Sequence, residues 1–236
     1  MTDFQRIYLE RAADYHRLIA AEDVRGSVGQ WLGEVLRGTR GEVLDVGAGT
    51  GRVTGLVARA VPEARLVCTD ASAAMLDELA VRWKDEFGED RAPDGVVADY
   101  RSLPFEAGRF AAVTAGWAVG HLTGFRPTTW REDARRVLRE LVRVAEPGAR
   151  IAILETLGTG TREPAPPNES LAELYRMFEA DGFARTVLRT DYLFATRIEA
   201  EELVSFFFGP EMVPPLEDVE DGVALIEWTG AWQRRA

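Results

Sequence analysis

Cysteine is almost absent from this chain of 236 residues, in which Cys68 is the only one and histidine occurs twice. A single cysteine excludes an intrachain disulfide and is usual in proteins of reducing compartments. A zinc site of the Cys/His type needs several such ligands, so we expect no metal site.

Long apolar runs are lacking too. No stretch approaches the ~20 consecutive apolar residues that a transmembrane helix requires. The first residues, MTDFQR, do not show the basic-then-apolar pattern of a secretory signal. We therefore expect a cytoplasmic protein without a membrane partner.

Positive charge is scarce relative to negative charge. Lys and Arg number 28 against 39 Asp and Glu, which gives a formal net charge of -11. Such a surface repels polyanions at long range, so we expect no nucleic-acid partner. With 46% hydrophobic residues the composition is that of a globular protein, and the length suits one α/β domain with a sizeable core.

The most informative stretch is VLDVGAGTGRV, residues 43–53. Its apolar start predicts a short buried strand, and the spacing of the apolar residues after it predicts a helix. Glycines at 47, 49 and 51 join the two, and such a turn directs backbone N–H groups at a ligand above the strand end. Asp45 is expected to place a carboxylate at the mouth of the turn. The pattern predicts a nucleotide-type pocket.

The glycine spacing differs from that of a dinucleotide site. It is G-x-G-x-G rather than G-x-G-x-x-G, and Arg52 takes the place of the last dinucleotide glycine. The Asp45 carboxylate would repel a pyrophosphate but attract an ammonium or sulfonium group. A dinucleotide site and a glycine turn without a ligand stay open as alternatives.

This run resembles motif I of the class I S-adenosylmethionine (SAM) methyltransferases, in particular the UbiE-like branch known as methyltransferase type 11. In that family the residue equivalent to Asp45 lies near the methionyl end of SAM. The resemblance implies that the turn itself contacts the cofactor, through Gly47, Ala48, Gly49 and Gly51.

A second acid, Asp70, follows the next predicted strand at about the distance where a βαβ unit delivers a carboxylate to a ribose. A carboxylate is able to accept from both ribose hydroxyls. The run TDASAAML resembles the family's D-x-S-x-x-M/L segment, which implies that Ala71 and Met75 line the adenosine pocket. The alternative is that Asp70 only caps the helix that follows.

A third acid, Asp99, ends another short predicted strand. The run VVADYRSLPF resembles the family segment G-D-A-x-x-L-P-F, in which the acid accepts from the adenine amino group and the N–H of the next residue, here Tyr100, meets the ring. Alternatively, Asp99 bonds only its own backbone at the start of a loop.

The residues AGWAVGHL, after the predicted fourth strand, resemble the family segment S-x-F-x-L-H-H-L. Trp117 replaces the aromatic residue, Gly120 the first histidine, and His121 matches the second. The resemblance implies that Ala115, Gly116 and Trp117 border the cofactor. If the methyl acceptor is a hydroxyl, His121 is the candidate general base, because an unperturbed histidine has a pKa near 6.5. The alternatives are a structural histidine and a tryptophan that faces the core.

Outside residues 40–155 the resemblance rests only on the order of elements. The pattern there predicts one strand over residues 186–195 and a last strand over residues 222–229. The first forty residues show two amphipathic helical faces. In the family an N-terminal helix lies over the cofactor, which makes Tyr15, with Tyr8 and His16, a candidate contact, although core packing explains the tyrosines too. Glu155, at the end of the fifth predicted strand, is expected to be a solvated acid, and the alternative is that it positions a substrate.

We therefore expect an α/β fold, a Rossmann-like three-layer αβα sandwich. Its seven-stranded sheet is mostly parallel with the last strand antiparallel, under an N-terminal helical cap. The expected single domain, residues 1–236, comprises a cap (1–38), a SAM-binding core (40–155) and a lid loop with helices and final strands (156–236). The implied activity is methyl transfer from SAM to a small molecule by a monomer or homodimer. The alternatives are a non-catalytic SAM-binding protein and an NAD(P)-dependent oxidoreductase.

Overall fold

The computed structural model describes residues 12–88, 91–213 and 215–236, without the side chains of residues 12, 13, 15 and 16. Two compact units are present. The larger one comprises residues 29–155, 168–186 and 231–236, and the smaller one comprises residues 156–167, 187–230 and the described part of residues 1–28. The single-domain assignment stays a prediction.

The strands and helices alternate along most of the chain. The strands are β1 (Glu42–Val46), β2 (Arg65–Asp70), β3 (Asp94–Val97), β4 (Phe110–Gly116), β5 (Ala145–Thr159), β6 (Ala184–Arg189), β7 (Tyr192–Phe194), β8 (Glu217–Val219), β9 (Gly222–Leu225) and β10 (Glu227–Arg235). The helices are α1 (Ala12–Ala20), α2 (Ser27–Val35), α3 (Arg52–Ala60), α4 (Ala73–Phe87), α5 (Leu122–Phe125), α6 (Trp130–Val144), α7 (Glu169–Ala180) and α8 (Arg197–Phe208).

Seven strands form one sheet in the order β3-β2-β1-β4-β5-β10-β6, mostly parallel with one strand antiparallel. This confirms the predicted Rossmann-like fold. The strand order reverses between β1 and β4, and in open parallel sheets ligands bind beyond the carboxyl ends of the strands at such a reversal.

The register of β1 places its residues opposite both neighbouring strands. Asp45 pairs with Cys68 of β2 and with Thr114 of β4. Asp70 pairs with Val97 of β3, so Asp99 follows directly beyond the same edge. The parallel pairing thus brings the ends of three strands, each with an acid in or after it, to one edge of the sheet.

The smaller unit contains a separate three-stranded sheet, β7-β9-β8, that the sequence did not indicate. The single strand predicted over residues 186–195 is wrong, because it is interrupted at Thr190 and Asp191, whose carbonyl oxygens accept from the Asp23 N–H. The single strand predicted over residues 222–229 is likewise divided, into β9 and β10. The apolar core of this unit includes Leu18, Tyr192, Phe194, Ala200, Leu203, Val204, Leu216, Val223 and Leu225.

Within the described ranges no helix combines the length and the apolar character that crossing a membrane demands.

Candidate functional site

The glycine turn, residues 47–51, connects β1 to α3 with a backbone that requires glycine. Gly47, Gly49 and Gly51 have φ angles of 68°, 54° and 94°, in the left-handed region that side chains disfavour. A Cβ on Gly47 would lie 2.5 Å from the Ala118 Cβ, and one on Gly51 would lie 2.8 Å from the Leu79 Cγ. A Cβ on Gly49 would meet nothing within 4 Å. Gly47 and Gly51 are therefore needed for packing, whereas Gly49 faces open space.

Asp70 ties this turn to the start of α4. Its Oδ2 accepts from the Gly49 N–H at 2.9 Å, and its Oδ1 accepts from the Ser72 N–H at 2.9 Å. Burial raises the pKa of Asp70, while these backbone N–H groups oppose the increase. The bond to Ser72 fits the helix-start alternative. The contact with a ribose stays a prediction.

Asp45 lies inside the protein rather than at the mouth of the turn as the sequence predicted. Its side chain is 2% exposed, because Oδ2 accepts from the Thr54 hydroxyl at 2.6 Å and Oδ1 from the Thr114 hydroxyl at 2.8 Å. Burial raises its pKa from 3.8 to about 6, the two threonines oppose this, and the charge of Asp70 adds to it. Asp45 thus joins β1 to α3 and β4 beneath the glycine turn.

Asp99 is exposed and paired with Arg101. Its Oδ1 accepts from the backbone N–H and from the Nε of Arg101, both at 2.9 Å. The hydrogen bond from the Arg101 side chain holds the pKa of Asp99 below its usual range. Asp99 therefore presents an ionised carboxylate in a fixed orientation.

The segment after β4, residues 117–121, has a strained start. Trp117 has a φ of 49°, which is rare for a bulky side chain and is typical of functional sites. The Arg52 guanidinium lies 4.0 Å from the centre of the Trp117 ring. A Cβ on Gly116 would lie 2.4 Å from Val53 Cγ2, so Gly116 is explained by packing against α3.

His121 is half-buried and stacks on Phe125, with ring centres 5.2 Å apart. Burial lowers the pKa of His121 from 6.5 to about 4, and a hydrogen bond to the Trp117 backbone partly opposes the decrease. This differs from the value near 6.5 on which the choice of His121 as general base rests, since burial disfavours the charged form of the ring. At neutral pH the imidazole is uncharged.

Glu155 is not the solvated acid that the sequence predicted. It is 4% exposed, because its Oε1 accepts from the Gly120 N–H at 2.8 Å and residues 118–120 cover it. A Cβ on Gly120 would lie 2.5 Å from Glu155 Oε2. Burial raises the pKa of Glu155 from 4.5 to about 8, and the backbone N–H groups of Gly120, Val119 and Ala118 oppose this.

Glu155 should make stability fall as the pH rises. The folded protein retains a proton that the unfolded chain has released between its ordinary pKa of 4.5 and the folded value of about 8. Stability is highest below this window and is lost as the pH rises through it. Glutamine does not titrate. In urea denaturation, Glu155→Gln should therefore gain about 4 kcal/mol of stability relative to the unchanged protein as the pH rises from about 5 to about 9.

Glu140→Gln is the control for this measurement. Arg143 holds the pKa of Glu140 below its usual range, so this carboxylate is ionised in both states above about pH 5. Its stability difference from the unchanged protein should be flat across the window. A Glu155→Gln difference that is equally flat would contradict the account of a buried, protonated Glu155.

The other predicted site residues occupy different surroundings. Ala48, Met75 and Ala115 are buried, Ala71 is exposed, and Tyr100 is half-buried. Tyr8 lies outside the described residues, as do the side chains of Tyr15 and His16. Sequence reasoning missed Thr54, Thr114 and Arg101. Of these three, only Thr114 could have been predicted, because pairing β1 with β4 places it opposite Asp45.

The fit of an adenosyl cofactor is supported by the open side of Gly49 and by two threonine hydroxyls. The side-chain oxygens of Thr50 and Thr69 are buried without a hydrogen-bond partner in the described structure. Thr50 belongs to the glycine turn, and Thr69 precedes Asp70 on β2. Unsatisfied buried hydroxyls are costly and are typical of sites that bind a polar ligand or water. The residues present are compatible with a nucleoside at this edge.

Comparison with known proteins shows similarity to methyltransferases. Residues 43–148 match a family described as a methyltransferase domain. Demethylmenaquinone methyltransferase of Thermotoga maritima is 37% identical over 122 residues, which cover 51% of this chain and 46% of that protein. The ubiquinone/menaquinone biosynthesis C-methyltransferase UbiE of Desulfotalea psychrophila is 34% identical over 116 residues, covering 49% and 42%. The chain thus spans less than half the length of either relative.

Among solved structures, the YcgJ protein from Bacillus subtilis superposes with a TM-score of 0.57 at 16% identity. The superposition covers 89% of this chain and 98% of that protein. At this identity the similarity shows the fold alone. The superposed region is much longer than the region that matches the two relatives by sequence.

Proposed function

We propose that this chain, which belongs to the class I SAM-dependent methyltransferases through residues 43–148, transfers a methyl group from SAM to a small-molecule acceptor. The observation that carries the proposal is the Asp70 carboxylate, which joins the open Gly49 to the start of α4 at the carboxyl edge of the sheet. A glycine turn, an acid on the next strand and a strand-order reversal occur together at one place. The fold alone hosts many functions, so the site carries the argument.

The residues assigned to SAM follow the edge of the sheet. Asp70 is proposed to accept from the ribose hydroxyls and Asp99 from the adenine amino group. Gly49 offers the close approach, and Asp45 stabilises the turn from below through Thr54 and Thr114. The remaining proposed contacts are Gly47, Ala48, Gly51, Ala71, Met75, Tyr100, Ala115, Gly116, Trp117 and Tyr15.

SAM, when bound, supplies a methyl group on a sulfonium that is already an activated leaving group. The protein then has mainly to align acceptor and methyl and to exclude water, and alignment alone contributes several kcal/mol, about 7 to 11 in the best cases. A direct SN2 displacement requires no covalent enzyme intermediate. We propose an O, N, S or C nucleophile. Because the two relatives are methyltransferases named for menaquinone biosynthesis and for demethylmenaquinone, a quinone carbon is the first acceptor to test.

The test of function is release of S-adenosylhomocysteine from SAM in the presence of a panel of acceptors, including a demethylated quinone, hydroxylated aromatics and amines. Release that depends on an acceptor supports an enzyme. Binding of S-adenosylhomocysteine without turnover on any acceptor would favour a non-catalytic SAM-binding protein. Binding of a nicotinamide dinucleotide instead would favour an oxidoreductase.

His121 is the proposed proton acceptor if the acceptor group is a hydroxyl. Its pKa of about 4 leaves the imidazole unprotonated at neutral pH but makes it a weak base. We therefore expect His121→Asn to reduce turnover by less than ~100-fold, the lower end of what general acid–base catalysis contributes. An NMR titration should show the ring neutral down to about pH 5. A midpoint near the ordinary value would contradict the burial of His121.

We further propose a cytoplasmic protein, monomeric or homodimeric, with no nucleic-acid or membrane partner. The net charge of -11 supports the first exclusion. Size-exclusion chromatography with light scattering distinguishes the two oligomeric states.

A further inference from the structure

Asp99 is held on both carboxylate oxygens by one side chain. The Arg101 Nε lies 2.9 Å from Oδ1 and 3.0 Å from Oδ2, and the Arg101 Nη2 donates to Oδ2 as well. A planar guanidinium that contacts both oxygens fixes the plane of the carboxylate, which a lysine ammonium does not do.

Arg101 is itself anchored to the first turn of α6. Its Nη1 lies 3.4 Å from Oδ1 of Asp133, a residue that is 4% exposed. The other oxygen of Asp133 accepts from the Thr129 hydroxyl at 2.7 Å and from the Arg126 Nε at 2.5 Å. A buried carboxylate with three donors has little freedom to rotate. Asp133 therefore fixes the position of the Arg101 guanidinium relative to α6, and Arg101 in turn fixes the Asp99 carboxylate.

We propose that Arg101, anchored by Asp133, is a positioning residue that orients the Asp99 carboxylate for the amino group of adenine and so sets the preference for adenine over a 6-oxo purine. This inference rests on the proposed function, which places an adenosyl compound at this edge. A carboxylate has about four acceptor positions, and Arg101 directs three N–H groups at them, from its backbone, Nε and Nη2. One position, on Oδ2, is therefore left for a ligand amino group. A 6-oxo purine presents an acceptor there, which leaves Asp99 facing an oxygen.

The experiment is calorimetric titration of S-adenosylhomocysteine and of its deaminated analogue S-inosylhomocysteine. The unchanged protein should prefer the adenine compound by ~100-fold or more, because sites built to bond a polar group discriminate strongly against its loss. Arg101→Met should reduce this ratio of dissociation constants by ~10-fold or more, since the carboxylate then keeps only the bond from the Arg101 backbone N–H to Oδ1 and its Oδ2 is no longer held. Arg101→Lys keeps the positive charge but lacks the planar guanidinium that contacts both oxygens, so it should give an intermediate ratio.

Arg65→Met is the matched control. Arg65 also pairs with an aspartate, its Nε and Nη2 donating to Oδ2 of Asp94 at 3.1 and 2.6 Å, but at the amino ends of β2 and β3. Its removal should leave the ratio unchanged. If Arg101→Met weakens both ligands equally, the inference is wrong while the proposed function stands. If the unchanged protein binds neither ligand, the proposed function is wrong and the inference with it.

Discussion

Gly49→Ala is expected to weaken binding of S-adenosylhomocysteine by ~100-fold or more, equivalent to about 2.7 kcal/mol. Gly49 has a φ of 54°, and a Cβ there meets no protein atom within 4 Å. The added methyl group therefore enters the open space in which we place the cofactor. It also strains the backbone at residue 49, whose N–H donates to Asp70.

Gly108→Ala separates this effect from backbone strain. Gly108 has a φ of 69°, and a Cβ there would likewise meet nothing within 4 Å, but it lies in the turn that leads into β4. Both substitutions should cost on the order of 1 kcal/mol of stability, because alanine at positive φ is strained in either turn. Denaturant unfolding and calorimetric titration measure the two quantities separately. Equal ligand affinity in the two variants would show that the cofactor does not approach Gly49.

The second large effect is expected for Asp70→Ala, which should weaken binding by about 1 to 3 kcal/mol, or roughly 5- to 150-fold. The substitution removes the proposed acceptor of the ribose hydroxyls. It also releases the Gly49 and Ser72 N–H groups, which Asp70 holds at 2.9 Å.

Asp94→Ala serves as the comparison, because Asp94 is an exposed acid at the other end of the neighbouring strand β3. Titration with S-adenosylhomocysteine should show no change for Asp94→Ala. Unchanged affinity in Asp70→Ala would show that the ribose assignment is wrong, and the resemblance of the TDASAAML run would then concern only the helix start.

The sequence predicted those parts of the fold that depend on neighbouring residues. The strand at residues 43–46, the glycines after it and the acid at 70 follow from local patterns, since strand, turn and helix each have a residue signature. The seven-stranded sheet then follows from the alternation of strands and helices.

What the sequence did not predict depends on residues far apart in the chain. Asp45 is buried because the Thr114 hydroxyl, 69 residues later, reaches its Oδ1. Glu155 is buried because the N–H of Gly120, 35 residues earlier, bonds to it. The interruption after β6 likewise requires Asp23, which no local pattern of residues 186–195 reveals. Burial and long-range hydrogen bonds, and with them the pKa values, need the fold first.

A crystal structure of the protein with S-adenosylhomocysteine tests the central assignment most directly. We expect one ligand whose ribose hydroxyls bond to Asp70 and whose adenine amino group bonds to Asp99, with Gly49 against the nucleoside. Density for the ligand at another place, or a ligand at this edge that touches neither carboxylate, would contradict it.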